Sequence, residues 1–134
     1  NHGYEFLIGE PGFLSVLGRA KPAFTWSHET LLRKDSLDMT DEDRAAICKY
    51  VSECGNERVI LTHGTDTIRR TAEELRDIKG KTIVLTGAML PEKFRDSDAD
   101  FNLGMAIGAA QCLPHGVYIV LCGVVKPCHE FETR

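Results

Sequence analysis

No stretch of the chain approaches the ~20 consecutive apolar residues that a membrane-spanning helix needs, and no signal peptide is visible. The five cysteines are odd in number and stand at positions 48, 54, 112, 122 and 128, with no CxxC pair among them. That pattern argues against a disulfide framework and for reduced thiols in a cytoplasmic protein. Cys112, His115, Cys122, Cys128 and His129 match no standard zinc spacing, and Cys112 and Cys122 fall at positions expected in the core, so no metal is expected. Basic residues are scattered, in runs no longer than pairs such as Arg33-Lys34 and Arg69-Arg70. With a net charge of −4, nothing suggests a nucleic-acid footprint. No GxGxxG or GxxxxGK loop follows any apolar run, which argues against a nucleotide-binding domain, and no cofactor is expected.

What the chain does contain suits a single globular domain. At 134 residues, 43% of them hydrophobic and 27% charged, it has the usual mix for a soluble fold. A chain of this length buries roughly two thirds of its unfolded surface without staples. Its recurring unit is an apolar strand, a turn of small residues and an amphipathic helix. A first helix is expected from Thr40 to about Glu53: Thr40 caps it, Asp43 follows three residues later, and Ile47, Tyr50, Val51 and Cys54 share a face. Strand Val59–Leu61 leads to a second helix starting near Asp66 or Thr67, with Ile68, Thr71, Ala72 and Leu75 at helical spacing. Strand Thr82–Leu85 comes next, then a third helix from about Asn102 to Cys112 and a strand from Val117 to Leu121. Pro11 to Leu17 reads as a short helix and Ala23 to Leu32 as one or two strands.

Continuous Val/Ile/Leu runs imply strands buried on both faces. Their alternation with helices implies βαβ units and a mainly parallel α/β sheet. Ligands of such sheets bind beyond the carboxyl ends of the strands. Three polar turns should gather there: Thr62-His63-Gly64-Thr65-Asp66-Thr67, Thr86-Gly87-Ala88-Met89-Leu90-Pro91, and Ser97-Asp98-Ala99-Asp100 leading into the third helix. Taken alone, Thr65-Asp66 reads first as a helix cap, and His63 as a satisfied, half-buried histidine. The alternating acids Asp96, Asp98 and Asp100 lack the glycine and glutamate of a calcium loop and read as an acidic helix start near that edge. Glu73, Glu74, Arg76 and Asp77 read as a solvated helix face.

Taken together, HGTDT after VILT, then TGAMLP, then SDADFNLGMAIGAA resemble the asparaginase family of the threonine-nucleophile, amidohydrolase kind. The likeness covers about residues 59 to 121, with the order and spacing of the motifs kept. It implies a flavodoxin-like, three-layer α/β domain and hydrolysis of the side-chain amide of asparagine, or a related small amide, to the acid and ammonia. By that likeness Thr65 is the second active-site threonine, and Asp66 is its partner and binds the substrate's α-amino group. Asp35-Ser36-Leu37-Asp38-Met39 is similar to the family's Ser-Gln-Asp-Met stretch, so Ser36 would hold the α-carboxylate. Ala88 would meet the substrate amide through its backbone.

The departures from the family pattern matter equally. The family's Thr-Gly-Gly-Thr-Ile motif has no counterpart here, and Gly3 to Pro11 resembles the loop that follows it. Residues 1–134 are therefore expected to form a single N-terminal-type domain lacking its first strand and its C-terminal end. The loop tyrosine of many members aligns with Phe6, which leaves Tyr4 as the substitute. The family's lysine falls near Thr133 or just past Arg134, and the usual second domain is absent, so sheet and helix faces that would pack on it suggest a homodimer. The alternative function is a non-catalytic amino-acid-binding or assembly domain. It would keep the substrate grip of Ser36 and Asp66 without the nucleophile.

Overall fold

The computed structural model describes the backbone of residues 4–7, 26–29, 38–87 and 99–131, and side chains over 38–87 and 101–131. Its elements in chain order are β1 (Tyr4–Leu7), β2 (Trp26–Glu29), α1 (Asp41–Glu53), β3 (Arg58–Thr62), α2 (Ile68–Leu75), β4 (Thr82–Thr86), α3 (Ala99–Cys112), β5 (Gly116–Leu121) and β6 (Val124–Pro127), followed by a short 3₁₀ turn at Cys128–Glu130. They build one sheet in the order β2-β1-β3-β4-β5-β6. Every pairing is parallel except that of β5 with β6. The order 2-1-3-4-5 is the flavodoxin-like one, with β6 added as an antiparallel edge.

The α/β expectation holds because the inner strands are apolar on both faces. Val59, Leu61, Ile83, Leu85, Val117, Ile119 and Leu121 form one cluster with Ile47 and Val51 of α1 and Ile68, Ala72 and Leu75 of α2. The residues between them, Ile60, Val84 and Val120, are also buried and point to the opposite face. There α3, which packs on β3, β4 and β5, brings Leu103, Ala106 and Ala110. Each such Ile or Leu contributes about 1.5–3 kcal/mol on burial. Two faces covered by helices make the three layers.

Local signals account for the helix boundaries. Thr40 accepts from the Asp43 amide while the Asp43 carboxylate accepts from the Thr40 amide, so the capping box expected at α1 forms in full. The second helix begins at Ile68 and buries the four residues expected, and Glu73, Glu74, Arg76 and Asp77 are exposed. The third helix starts at Ala99, three residues ahead of its expected start.

Three expectations need correction or limits. Gly3–Pro11, read as a loop, carries strand β1, which pairs with β2 on one side and β3 on the other; Tyr4, Phe6 and Leu7 have the aromatic and branched character of a strand. Cys112 and Cys122 are exposed and not core. Cys112 closes α3 at its solvent end, and Cys122 opens the two-residue turn between β5 and β6. In that turn Cys122 and Gly123 both have positive φ, 55° and 78°, as a tight hairpin following the twist of its strands requires. The expected helix at Pro11–Leu17 lies outside the described residues, whereas β2 falls within the Ala23–Leu32 stretch.

Candidate active site at the carboxyl edge of the sheet

Register aligns Thr62 of β3 with Thr86 of β4, and Thr86 with Val120 of β5, so the chain leaves these strands along one edge. Past that edge the His63 amide donates to the Thr86 carbonyl at 2.9 Å, which carries the pairing one residue into the turn. The approach is closest at Gly87. A Cβ built there would overlap the His63 carbonyl oxygen and lie 3.4 Å from Cγ2 of Thr65. Glycine is therefore needed for the two turns to touch. Asn102, fully buried in α3, ties this edge to the β5–β6 turn. Its Nδ2 donates to the Gly87 carbonyl at 2.8 Å, and its Oδ1 accepts from the Cys122 amide at 3.1 Å.

Beneath the Thr62–Thr67 turn lies a polar network that the sequence does not announce. Arg44 of α1, only 2% exposed, donates from Nε to Thr71 Oγ1 at 3.1 Å, from Nη2 to Thr67 Oγ1 at 2.8 Å and from Nη1 to the Met39 carbonyl at 3.4 Å. Thr71 Oγ1 also lies 2.7 Å from His63 Nε2, and His63 Nδ1 lies 2.6 Å from the Gly64 carbonyl. A carbonyl only accepts, so Nδ1 carries the proton. Nε2 of the neutral ring then accepts from the Thr71 hydroxyl. The order is Arg44 Nε–H to Thr71, Thr71 O–H to His63, and His63 Nδ1–H to Gly64.

This assigns His63 the role its sequence context suggested, a satisfied, half-buried histidine. Burial holds its pKa below the ordinary 6.5; the Gly64 hydrogen bond opposes that shift, and the Arg44 charge adds to it. The folded protein therefore binds fewer protons at this ring than the unfolded chain does below pH 6.5. Stability from this source is complete above that pH and declines as pH falls through the folded-state value. Urea titrations between pH 7.5 and pH 5 are expected to show this decline in the wild type, flattened in a His63→Gln variant. Parallel curves for the two proteins would refute the assignment.

Of the candidate residues, Thr65 is half-buried and Asp66 exposed, side by side between the Gly64 carbonyl and the Thr67 hydroxyl. Thr67 is the N-cap residue of α2, yet its side chain makes no capping bond and accepts from Arg44 instead. Ser36 and Ala88 lie outside the described residues. Ser36 comes three residues before Met39, whose carbonyl Arg44 holds, and Ala88 directly follows Gly87, whose carbonyl Asn102 holds. Tyr4, expected as the substitute for the loop tyrosine, is the first residue of β1 and aligns with Arg58 at the start of β3, so its backbone lies at the amino edge of the sheet, opposite the edge that carries the Thr62–Thr67 turn. Arg44 was nonetheless legible as a charge on the buried i, i+3, i+7 stripe Arg44–Ile47–Val51, and Asn102 as an amide on the stripe of Ala106 and Ala110.

Fold and site together define a flavodoxin-like α/β domain with a polar, threonine-rich site at the strand exits. Comparison with known families makes this specific: residues 3–129 match the family described as "Asparaginase, N-terminal", and the chain belongs to that family. It is 31% identical over 123 residues to an L-asparaginase of Thermococcus kodakarensis, covering 87% of this chain and 38% of that protein. It is 37% identical over 83 residues to a Glutamyl-tRNA(Gln) amidotransferase subunit of Methanococcus vannielii, covering 60% of this chain and 20% of that protein. With L-asparaginase 2 of Escherichia coli it shares 28% over 107 residues, 77% of this chain and 31% of that protein. The chain thus spans between a fifth and two fifths of the length of these relatives. Among the described residues no helix is long and apolar enough to cross a membrane.

Proposed function

We propose that this chain carries the substrate site of an amidohydrolase that converts the side-chain amide of asparagine, or of a related small amide, to the acid with release of ammonia. The observation that carries the reading is the joining of the turns at one sheet edge, where Thr65 and Asp66 sit between two hydrogen-bonded anchors beside Gly87. Asp66 is exposed there and suited to take the substrate's ammonium group, while Ser36 takes its carboxylate. Thr65 serves the reacting amide. Backbone N–H groups after Gly87, at Ala88, stabilise the oxyanion that forms when a hydroxyl adds to the amide carbon. The attacking threonine needs a base, and a lysine desolvated beside Thr65 and Asp66 suits that task. Collapse of the adduct breaks the C–N bond and expels ammonia, leaving the acyl group as an ester on that threonine, and water cleaves the ester, so that one amide and one water give one acid and one ammonia.

The test is ammonia release from L-asparagine, D-asparagine and L-glutamine by the complete protein, beside an Asp66→Ala variant with an unchanged circular dichroism spectrum. Loss of one charge-assisted contact to the ammonium is expected to lower kcat/KM about ten- to a hundredfold. No release from any of the three would overturn the reading. The likeness to an amidotransferase favours a second reading, in which the ammonia passes to an acceptor and is not released. Release that appears only when a partner protein and an acceptor are supplied would favour it. Binding of L-aspartate without turnover under either condition would favour an amino-acid-binding domain.

A further inference from the structure

A buried guanidinium facing neutral oxygens is a poor stabilising element. Its desolvation is costly, and apolar side chains of similar volume often replace such buried charges with no loss of stability. Arg44 has three neutral acceptors among the described residues, and each belongs to a different part of the site: Met39, Thr67 and Thr71. We propose that Arg44 is the positioning residue of this site: its guanidinium ties the Thr62–Thr67 turn to the Met39 carbonyl and, through Thr71, orders the His63 ring at the start of that turn.

The geometry explains why arginine is used. A guanidinium presents its donors in a rigid planar fork, so the oxygens it binds are fixed relative to one another. Thr67 Oγ1 and the Gly64 carbonyl, one held by Arg44 and the other by His63, flank Thr65 and Asp66. The Met39 carbonyl lies three residues from Ser36 along the chain. A substrate's ammonium must meet Asp66 at one fixed place, and the turn that carries Asp66 is tied to Met39 and to α2 by this one side chain. This consequence for substrate rests on the amidohydrolase reading; the ordering of the turn does not.

Arg44→Met and Arg44→Lys variants of the complete protein test the proposal through urea unfolding, amide and imidazole ¹⁵N NMR, and steady-state kinetics. The methionine variant is expected to stay folded while the amides of Gly64 to Thr67 shift and the His63 midpoint rises slightly, because burial still lowers it and only the smaller effect of the Arg44 charge is removed. Its kcat/KM should fall on the order of a hundredfold, mainly through KM, as for a site misplaced by about 1 Å. Arg44→Lys restores the charge, and with it the small part of the His63 shift that the charge supplies, but lacks the fork and should recover only part of kcat/KM. A methionine variant with wild-type KM, kcat and Gly64–Thr67 amide shifts overturns the proposal. Should that variant fail to fold, the lysine variant decides, and a wild-type KM there overturns it. If the wild type hydrolyses no amide, the functional reading fails separately. The amide shifts then decide for Arg44, supporting the proposal if they move and overturning it if they do not.

Discussion

Replacing Gly87 by alanine is expected to destabilise the protein by about 3 kcal/mol, the upper part of the range for forcing one methyl into a packed interior. The obstacle is the His63 carbonyl oxygen, which the new Cβ would overlap. That atom belongs to the backbone and has no alternative rotamer. Relief requires the exits of β3 and β4 to separate, yet the His63 amide is bonded to the Thr86 carbonyl and Thr86 Oγ1 to the Val120 carbonyl, both beside the insertion. The Thr65 methyl group, 3.4 Å from the added carbon, would move with them. Urea unfolding would show a lower midpoint with little change in slope. In the same protein kcat/KM should fall further than the loss of folded protein explains, because the turns that separate carry Thr65 and Asp66. An alanine variant with wild-type stability would show that the turns are not in contact at Gly87.

Much of this arrangement is legible in the sequence because it is written in local chemistry. Val59–Leu61, Thr82–Leu85 and Val117–Leu121 are unbroken apolar runs, and only strands covered on both faces need them. Thr40 and Asp43 mark the start of α1 three residues apart, a spacing that has one structural meaning. The elements that sequence reasoning misses or misreads are short or depend on distant partners. Strands β1 and β6 have four residues each, too few for a period to emerge, and their pairing partners are far away in sequence or across a tight turn. Cys112 and Cys122 are apolar by type but sit where an element ends, so burial could not be inferred from composition. Within the site, the HGTDT and TGAMLP motifs marked which turns matter. The side chains that anchor them, Arg44 for the first and Asn102 for the second, lie 21 and 15 residues from Thr65 and Gly87 respectively, on helices whose other buried residues are apolar. A polar residue on an apolar stripe says that something must satisfy it, and only the fold says what.

Asn102 gives the second large effect, and here the chemistry outweighs the volume. Both ends of its amide are in use at full burial, Nδ2 toward the Gly87 carbonyl and Oδ1 toward the Cys122 amide. Asn102→Ala removes both contacts at once, leaving the Gly87 carbonyl buried and unsatisfied and the Cys122 amide partly so; at about 1–3 kcal/mol each, a loss of at most about 2–6 kcal/mol is expected. Asn102→Asp separates the two contacts. The carboxylate still accepts from Cys122, but its other oxygen faces the Gly87 carbonyl with no proton to share, so the hairpin contact survives while the Gly87 contact becomes repulsive. Protonating that carboxylate supplies the missing donor, so the aspartate variant should regain stability on mild acidification, a trend opposite to the His63-dependent decline of the wild type. The effect on catalysis follows from the planarity of the peptide unit: whatever holds the Gly87 carbonyl also governs the amide that follows it, and the proposed mechanism uses that amide as an oxyanion donor. Ammonia release by Asn102→Asp should therefore fall more steeply than its stability does, by up to the ~10²–10³-fold seen when one oxyanion donor is lost. An aspartate variant that is destabilised yet turns over at the wild-type rate per folded molecule would separate Gly87 from the chemistry and leave the catalytic edge to Thr65 and Asp66 alone.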